Sequence, residues 1–320
     1  MEIARSATAS QDGWALLRQP VAQGGASDGA RGGEARSHRR RWPRGPWGSL
    51  LGAALAGALV LAWPPATRWL GDGDGDGGAT VDPLLLQVFG ADFVLQPRGS
   101  FRLDELEHVS SEEPPFGSYL RVTYPEGSSS PTSARTDGTP LGGAQFYLGS
   151  VSGGSDRAFL RYFVRFSEGF DFGRGGKLPG LYGGAATAAQ AGRPGLSARF
   201  GWSAGGAGEV YLYSSVAGGA EPLGRGAWTW RPGRWTCVEQ EVALGVPGAA
   251  SGSLRTWVDG EPVWEQEGVA LRDERSLLLD GVFFSTFFGG SDSTWSSSTT
   301  QWADFAAVET DDERIGCSPR

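Results

Sequence analysis

The sequence predicts an all-β fold, an antiparallel β-jelly roll built as a two-sheet sandwich, and three observations carry that prediction. Apolar and polar residues alternate with a period of two along most of the chain after residue 84. There are 52 glycines among 320 residues, enough to turn the chain repeatedly between short strands. No stretch of ordinary helical length in that region competes with the strand pattern.

The elements follow in order. Arg157 to Phe166 sets Ala158, Leu160, Tyr162, Val164 and Phe166 on one face and Arg157, Arg161 and Arg165 on the other. Leu196 to Trp202 alternates Leu196, Ala198, Phe200 and Trp202 against Ser197, Arg199 and Gly201, and Glu209 to Tyr213 alternates Val210 and Leu212 against Glu209, Tyr211 and Tyr213. Further strands are expected at Trp235 to Leu244, at Leu254 to Val258 turning through Asp259-Gly260 into Val263, and at Val282 to Phe288. Asp-Gly between two β-type runs is a strong hairpin signal.

The sandwich occupies residues 84–320, and three segments precede it. Residues 1–46, rich in Gly, Ala, Arg and Ser without an apolar period, are expected to be a disordered basic tail. Residues 47–63 form an uncharged run of 17 residues bounded by Trp47 and Trp63, preceded by Arg36, His38, Arg39, Arg40, Arg41 and Arg44. It is expected to be a transmembrane signal anchor or a signal peptide, with the N-terminus inside and the sandwich extracytoplasmic. Residues 64–83 form an acidic Gly/Asp linker. Its GDGDGDGG at Gly71–Gly78 starts like a calcium loop, but Pro83 stands where the bidentate glutamate belongs, which favours a flexible linker.

Composition removes several functions. The formal net charge of -8 repels polyanions overall, so any acidic ligand must meet a local basic cluster, and no dense basic stripe suggests nucleic acid. His38 and His108 are the only histidines, which disfavours His-based metal sites and a Ser-His-Asp hydrolase. Thirteen tryptophans suit either a sugar-facing surface or a core. Cys237 and Cys317 are too few for a disulfide scaffold; one bridge pinning the C-terminal tail and two free thiols both remain open.

The alternation gathers a cluster. If the strands around Arg199 and Tyr211 pair antiparallel across the glycine-rich Ser203 to Gly208, Arg199 lies opposite Tyr211 and Ser197 opposite Tyr213, on the face away from the core. A one-residue slip would scatter them. Upstream, FDFGRGGKLPGLYGG (Phe170 to Gly184) reads as a rigid loop holding Lys177; Leu178 follows the lysine, which excludes a phosphate loop. Such a set suits β-elimination of a polyuronate. Arginine grips the C6 carboxylate and makes the C5 proton acidic, a lysine beside that arginine loses its own proton and serves as base, and a tyrosine protonates the leaving O4. No cofactor or metal is required.

GGKLPGLYGG, SARFGW, GEVYLY, GRGAWTWRPGRWTCVEQEVAL, WVDGEPV and FFSTFFGGSDSTW, in that order from Phe159 to Phe305, resemble polysaccharide lyase family fourteen, the alginate and glucuronan lyases. The resemblance implies a jelly roll, metal-independent endo-acting cleavage, Lys177 as base, and Arg199, Ser197, Tyr211 and Tyr213 in the site; Arg225 and Tyr182 are expected to add substrate contacts. Where the family often has RxMW, this chain has Arg199-Phe200-Gly201-Trp202. Residues 84–155 hold no block that aligns. The expected partner is an acidic polysaccharide, with membrane contact through the N-terminal segment and a monomeric state. Two rivals stand: a non-catalytic sugar-binding module on the same fold, and a glycoside hydrolase using Glu239 and Glu241, which share one strand face.

Overall fold

The computed structural model describes residues 88–89, 93–112, 115–150, 152–187 and 193–318. The predicted tail, hydrophobic segment and linker lie outside the described residues, among which no helix is long and apolar enough to cross a membrane.

Two seven-stranded sheets make up the fold. Sheet A runs, edge to edge, β1 (Phe93–Phe101), β4 (Ala144–Ser150), β13 (Gly281–Phe288), β6 (Gly175–Gly184), β7 (Gly195–Ser203), β8 (Ala207–Ser214) and β9 (Gly219–Leu223). Sheet B runs β12 (Glu261–Val269), β11 (Gly252–Val258), β10 (Thr236–Ala243), β5 (Arg157–Phe166), β14 (Gln301–Asp311), β3 (Ser118–Tyr124) and β2 (Glu107–Ser110). All strand pairs within the sheets are antiparallel. A short helix, α1 (Pro131–Thr136), begins on Ser130, whose Oγ accepts from the Ser133 amide at 3.1 Å, with a proline at its first position.

The apolar faces predicted for β5, β7 and β8 meet between the sheets: Leu160, Tyr162, Val164 and Phe166 from sheet B pack with Leu196, Ala198, Phe200, Trp202, Val210 and Leu212 from sheet A. Trp228 and Trp230 join that core, and Trp202 and Trp230 each donate Nε1 to a backbone carbonyl. The Asp259-Gly260 hairpin forms as expected. Both residues have positive φ, 51° and 88°, the twist a two-residue turn between right-handed strands requires.

One expectation is corrected. Phe170 to Gly184 is not a loop around Lys177, because its second half is β6, a central strand of sheet A. Glycine density argued for a loop, yet Gly176, Gly180 and Gly183 are there because neighbours crowd them. A Cβ at Gly176 would lie 2.1 Å from Trp202 and one at Gly183 2.0 Å from the Leu278 carbonyl.

The outer face of sheet B is an ion-pair lattice. Asp304, fully buried, takes both Arg121 and Arg165 at 2.8 Å, and Glu241 takes Arg157 at 2.5 Å and Arg255 at 3.1 Å. Glu239 accepts the Ile315 amide at 2.6 Å and pairs with Arg314. The two glutamates of the hydrolase reading are thus committed to structure, on the face opposite Lys177. Beside them Cys237 and Cys317 are bridged, which settles the open question of the thiols and pins the C-terminal tail to β10.

Candidate active site

Register builds the site on the outer face of sheet A. One rung crosses five strands, with Tyr147 opposite Phe283, Phe283 opposite Gly180, Gly180 opposite Arg199 and Arg199 opposite Tyr211. A neighbouring rung holds Tyr182, Ser197 and Tyr213, and another holds Phe287, Lys177, Gly201 and Glu209. The pairings of Arg199 with Tyr211 and Ser197 with Tyr213 are those the alternation predicted.

Lys177 and Tyr182 are five positions apart and would point to opposite faces of a regular strand. They share one face because the register of β6 shifts between Lys177 and Gly180, where Leu178 and Pro179 oppose the single residue Phe200. This bulge turns the lysine back over the arginine rung. Pro179 fits a bulge, since it has no amide hydrogen to give the ladder, and its carbonyl accepts from the buried Tyr162 hydroxyl at 3.2 Å.

The lysine amine lies 3.5 Å from the centroid of the Tyr211 ring, and the Arg199 guanidinium carbon 5.5 Å from the same ring. Burial, and then Arg199, pull the Lys177 amine down to about 7, while Glu209 opposes them and Arg225 adds to them. The sequence argument credited the arginine alone; burial is the larger cause. Arg199 itself, 7 % exposed, is drawn down to about 10 by burial. One of its nitrogens donates to Ser285 Oγ at 3.1 Å, and that hydroxyl donates to Gln145 Oε1 at 3.1 Å.

Three arginines are buried among the described residues. Arg161 pairs with Glu309 and Arg272 with Asp156, whereas Arg199 has no carboxylate partner. A buried cation without a counter-ion is costly, so a position that keeps one is suited to an anion arriving from outside. The positive charges of Arg199 and Lys177 beside a phenol make the arrangement fit to bind a carboxylate and to move a proton next to it.

The other expected residues fall into supporting places. Ser197 is fully buried and its hydroxyl donates to the Ala186 carbonyl at 2.7 Å, fastening the chain after β6. Tyr182, also fully buried, packs edge-on to Tyr147 at 5.0 Å, and Tyr147 stacks on Phe283 at 4.4 Å, forming an aromatic wall beside Arg199. Tyr213 is buried and Tyr211 half-buried. Arg225 is exposed and its Nε donates to Glu209 Oε2 at 2.7 Å.

The sequence profile of Polysaccharide lyase 14 matches residues 113–308, more than half of the chain. The chain belongs to polysaccharide lyase family 14. The match reaches upstream of Phe159 and takes in β3 and β4, where no aligned block was found in the sequence. Among solved structures, the marine alginate lyase of Aplysia kurodai is 26% identical, with 66% of this chain covering 88% of that one at a TM-score of 0.55. The alginate lyase vAL-1 from Chlorella virus is 21% identical, with 72% of this chain covering 97% of that one at a TM-score of 0.59. A search of curated proteins returned no match.

Sequence reasoning missed Glu209, Tyr147, Phe283, Ser285 and Gln145 as site neighbours. Glu209 had a signal, its shared face with Tyr211; the rest reach the site only through the β4–β13–β6 pairing, which no local pattern encodes. A stronger signal was available by counting. Lys177 is the one lysine in the chain, against 27 arginines. Arginine cannot give up its proton in a protein, so the single lysine is set apart from the 27 arginines by an amine able to become neutral.

Proposed function

We propose that this lyase cleaves an acidic polyuronate, alginate or glucuronan, by β-elimination on the outer face of sheet A. The observation that carries the reading is the buried Arg199 with no carboxylate of its own, beside an amine lowered to about 7. In this reading the Arg199 fork neutralises the C6 carboxylate of the bound uronate, which acidifies the C5 proton. Neutral Lys177 takes that proton, the electron pair forms the C4–C5 double bond, and the C4–O4 bond breaks. Tyr211, half-buried and in contact with both cations, gives its hydroxyl proton to O4 and regains one from Lys177. Tyr213, deeper and beside Ser197, supports Tyr211, and Arg225 stands at the rim, where it meets a neighbouring sugar. The bridged cysteines favour an oxidising compartment, so we place the domain outside the cytoplasm.

The test is incubation of the purified protein with alginate and with glucuronan while following the ultraviolet absorbance of the unsaturated product. Binding without that absorbance would make it a sugar-binding module, and saturated product ends would make it a hydrolase. Tyr211→Phe should lose turnover and Tyr213→Phe retain part of it; the reverse ranking would exchange their roles.

A further inference from the structure

Glu209 is the acid nearest in register to Lys177, two strands away across Gly201. Adjacent strands are about 4.8 Å apart, so the two backbones are roughly 10 Å apart and two long side chains could close that gap. Position 201, which lies between them in register, has no side chain. A Cβ there would lie 3.4 Å from Glu209 Cγ, which shows the glutamate leaning over the glycine. Yet Glu209 does not pair with Lys177. Its side chain is 5% exposed and its carboxylate is held at 2.7 Å by Arg225, which comes from the turn after β9 and is itself 57% exposed. Among the described residues, Lys177 has no ion-pair partner.

We propose that Arg225 is a positioning residue that acts through Glu209: by holding that carboxylate it denies Lys177 a counter-ion and so leaves the amine free of its proton. This deepens the lyase reading, on which its catalytic meaning rests. Lys177 faces Arg199 from β7, Tyr211 and Glu209 from β8, and Arg225 from the turn after β9; its neighbour on β13, Phe287, carries no charge. Glu209 is the one acid in that set. With Arg225 gone, Glu209 is free to turn to Lys177, and a positive neighbour is lost as well. Both changes favour the ammonium form.

The lone lysine makes the test direct. Full-length protein carrying lysine labelled with carbon-13 at Cε gives one lysine resonance, whose midpoint with pH reports Lys177 alone. Arg225→Ala should raise that midpoint by about one unit, a tenfold gain in proton affinity. Glu209→Gln should lower it, and adding Arg225→Ala to Glu209→Gln should move it much less than Arg225→Ala moves the wild type. An unmoved or lowered midpoint in Arg225→Ala overturns the proposal. So does an equal rise in both backgrounds, which would mean that Arg225 acts on the amine without Glu209. In the polyuronate assay, Arg225→Ala should shift the acid limb of kcat/KM upward by the same unit, on top of whatever binding is lost at the rim. A uniform loss at every pH would mean that it only binds sugar. The resonance titrates whether or not a polyuronate is cleaved, so failure of the lyase reading and failure of this proposal are separate results.

Discussion

At the scale of single residues, Lys177 combines two demands that conflict in most proteins: it is cationic enough to sit near a polyanion and close enough to neutral to take a proton. Burial, followed by Arg199, brings the amine to about 7. A base works only in its neutral form, so kcat/KM should rise as pH increases through about 7 and flatten above it. Lys177→Arg keeps the charge and removes the ability to lose it; turnover should fall by about 10²–10⁴-fold with substrate binding retained. Measured binding and rates on the same preparation check this, and a variant that turns over near wild-type rate removes Lys177 as base. Arg199 and Tyr211 were legible in the sequence because they lay on alternate positions of two strands that a glycine-rich loop joins, whereas Lys177 stood in a segment read as a loop and owed its role to the family resemblance. Ser197 was placed correctly in register, but its hydrogen bond to Ala186 depends on how the chain leaves β6, which period-two reasoning does not reach.

At the scale of elements, β6 is where sequence reading and structure part. Its Gly-Gly-Lys-Leu-Pro-Gly run has the composition of a turn, and a central strand was not expected to carry a proline. The bulge reconciles them, and it depends on Gly180, where a Cβ would lie 2.0 Å from the Ala198 carbonyl oxygen and 2.5 Å from Arg199 Cα. Backbone cannot yield as a side-chain tip does, so Gly180→Ala should destabilise the fold by about 2 kcal/mol or more and displace Arg199. Denaturant unfolding reads the first effect and kcat/KM the second; a variant matching wild type in both would show that the bulge tolerates a side chain. β14 was missed for a related reason. Its inward residues Ala303 and Phe305 are followed by an outward Ala306, with Ala307 at φ 49° and a shift of register before Glu309, so the alternation breaks mid-strand.

Across the whole molecule, the two outer faces have opposite designs. Sheet B pairs its cations with acids, while sheet A leaves Arg199 and Lys177 without acidic partners among the described residues. A net charge of -8 can therefore coexist with a face that carries cations without acidic partners. The composition gave the net charge, but only the pairing of strands distant in sequence determined which cations were left over. The Cys237–Cys317 bridge closes a separation of 80 residues, and loop entropy puts its worth at about 4 kcal/mol. Replacing both cysteines with serine should lower the melting temperature while leaving kcat near wild type, since the bridge lies on the opposite sheet. Loss of kcat in a folded double variant would show that the C-terminal latch reaches the site.

The solitary ε-amine also has a practical side. Succinimide-ester dyes, aldehyde resins and amine-coupled sensor chips seek lysines, and here they would find the one that stands over Tyr211. Immobilising or tagging this protein by such routes would cap that amine. Coupling through carboxylates on the far sheet, or through a peptide tag, would leave it open.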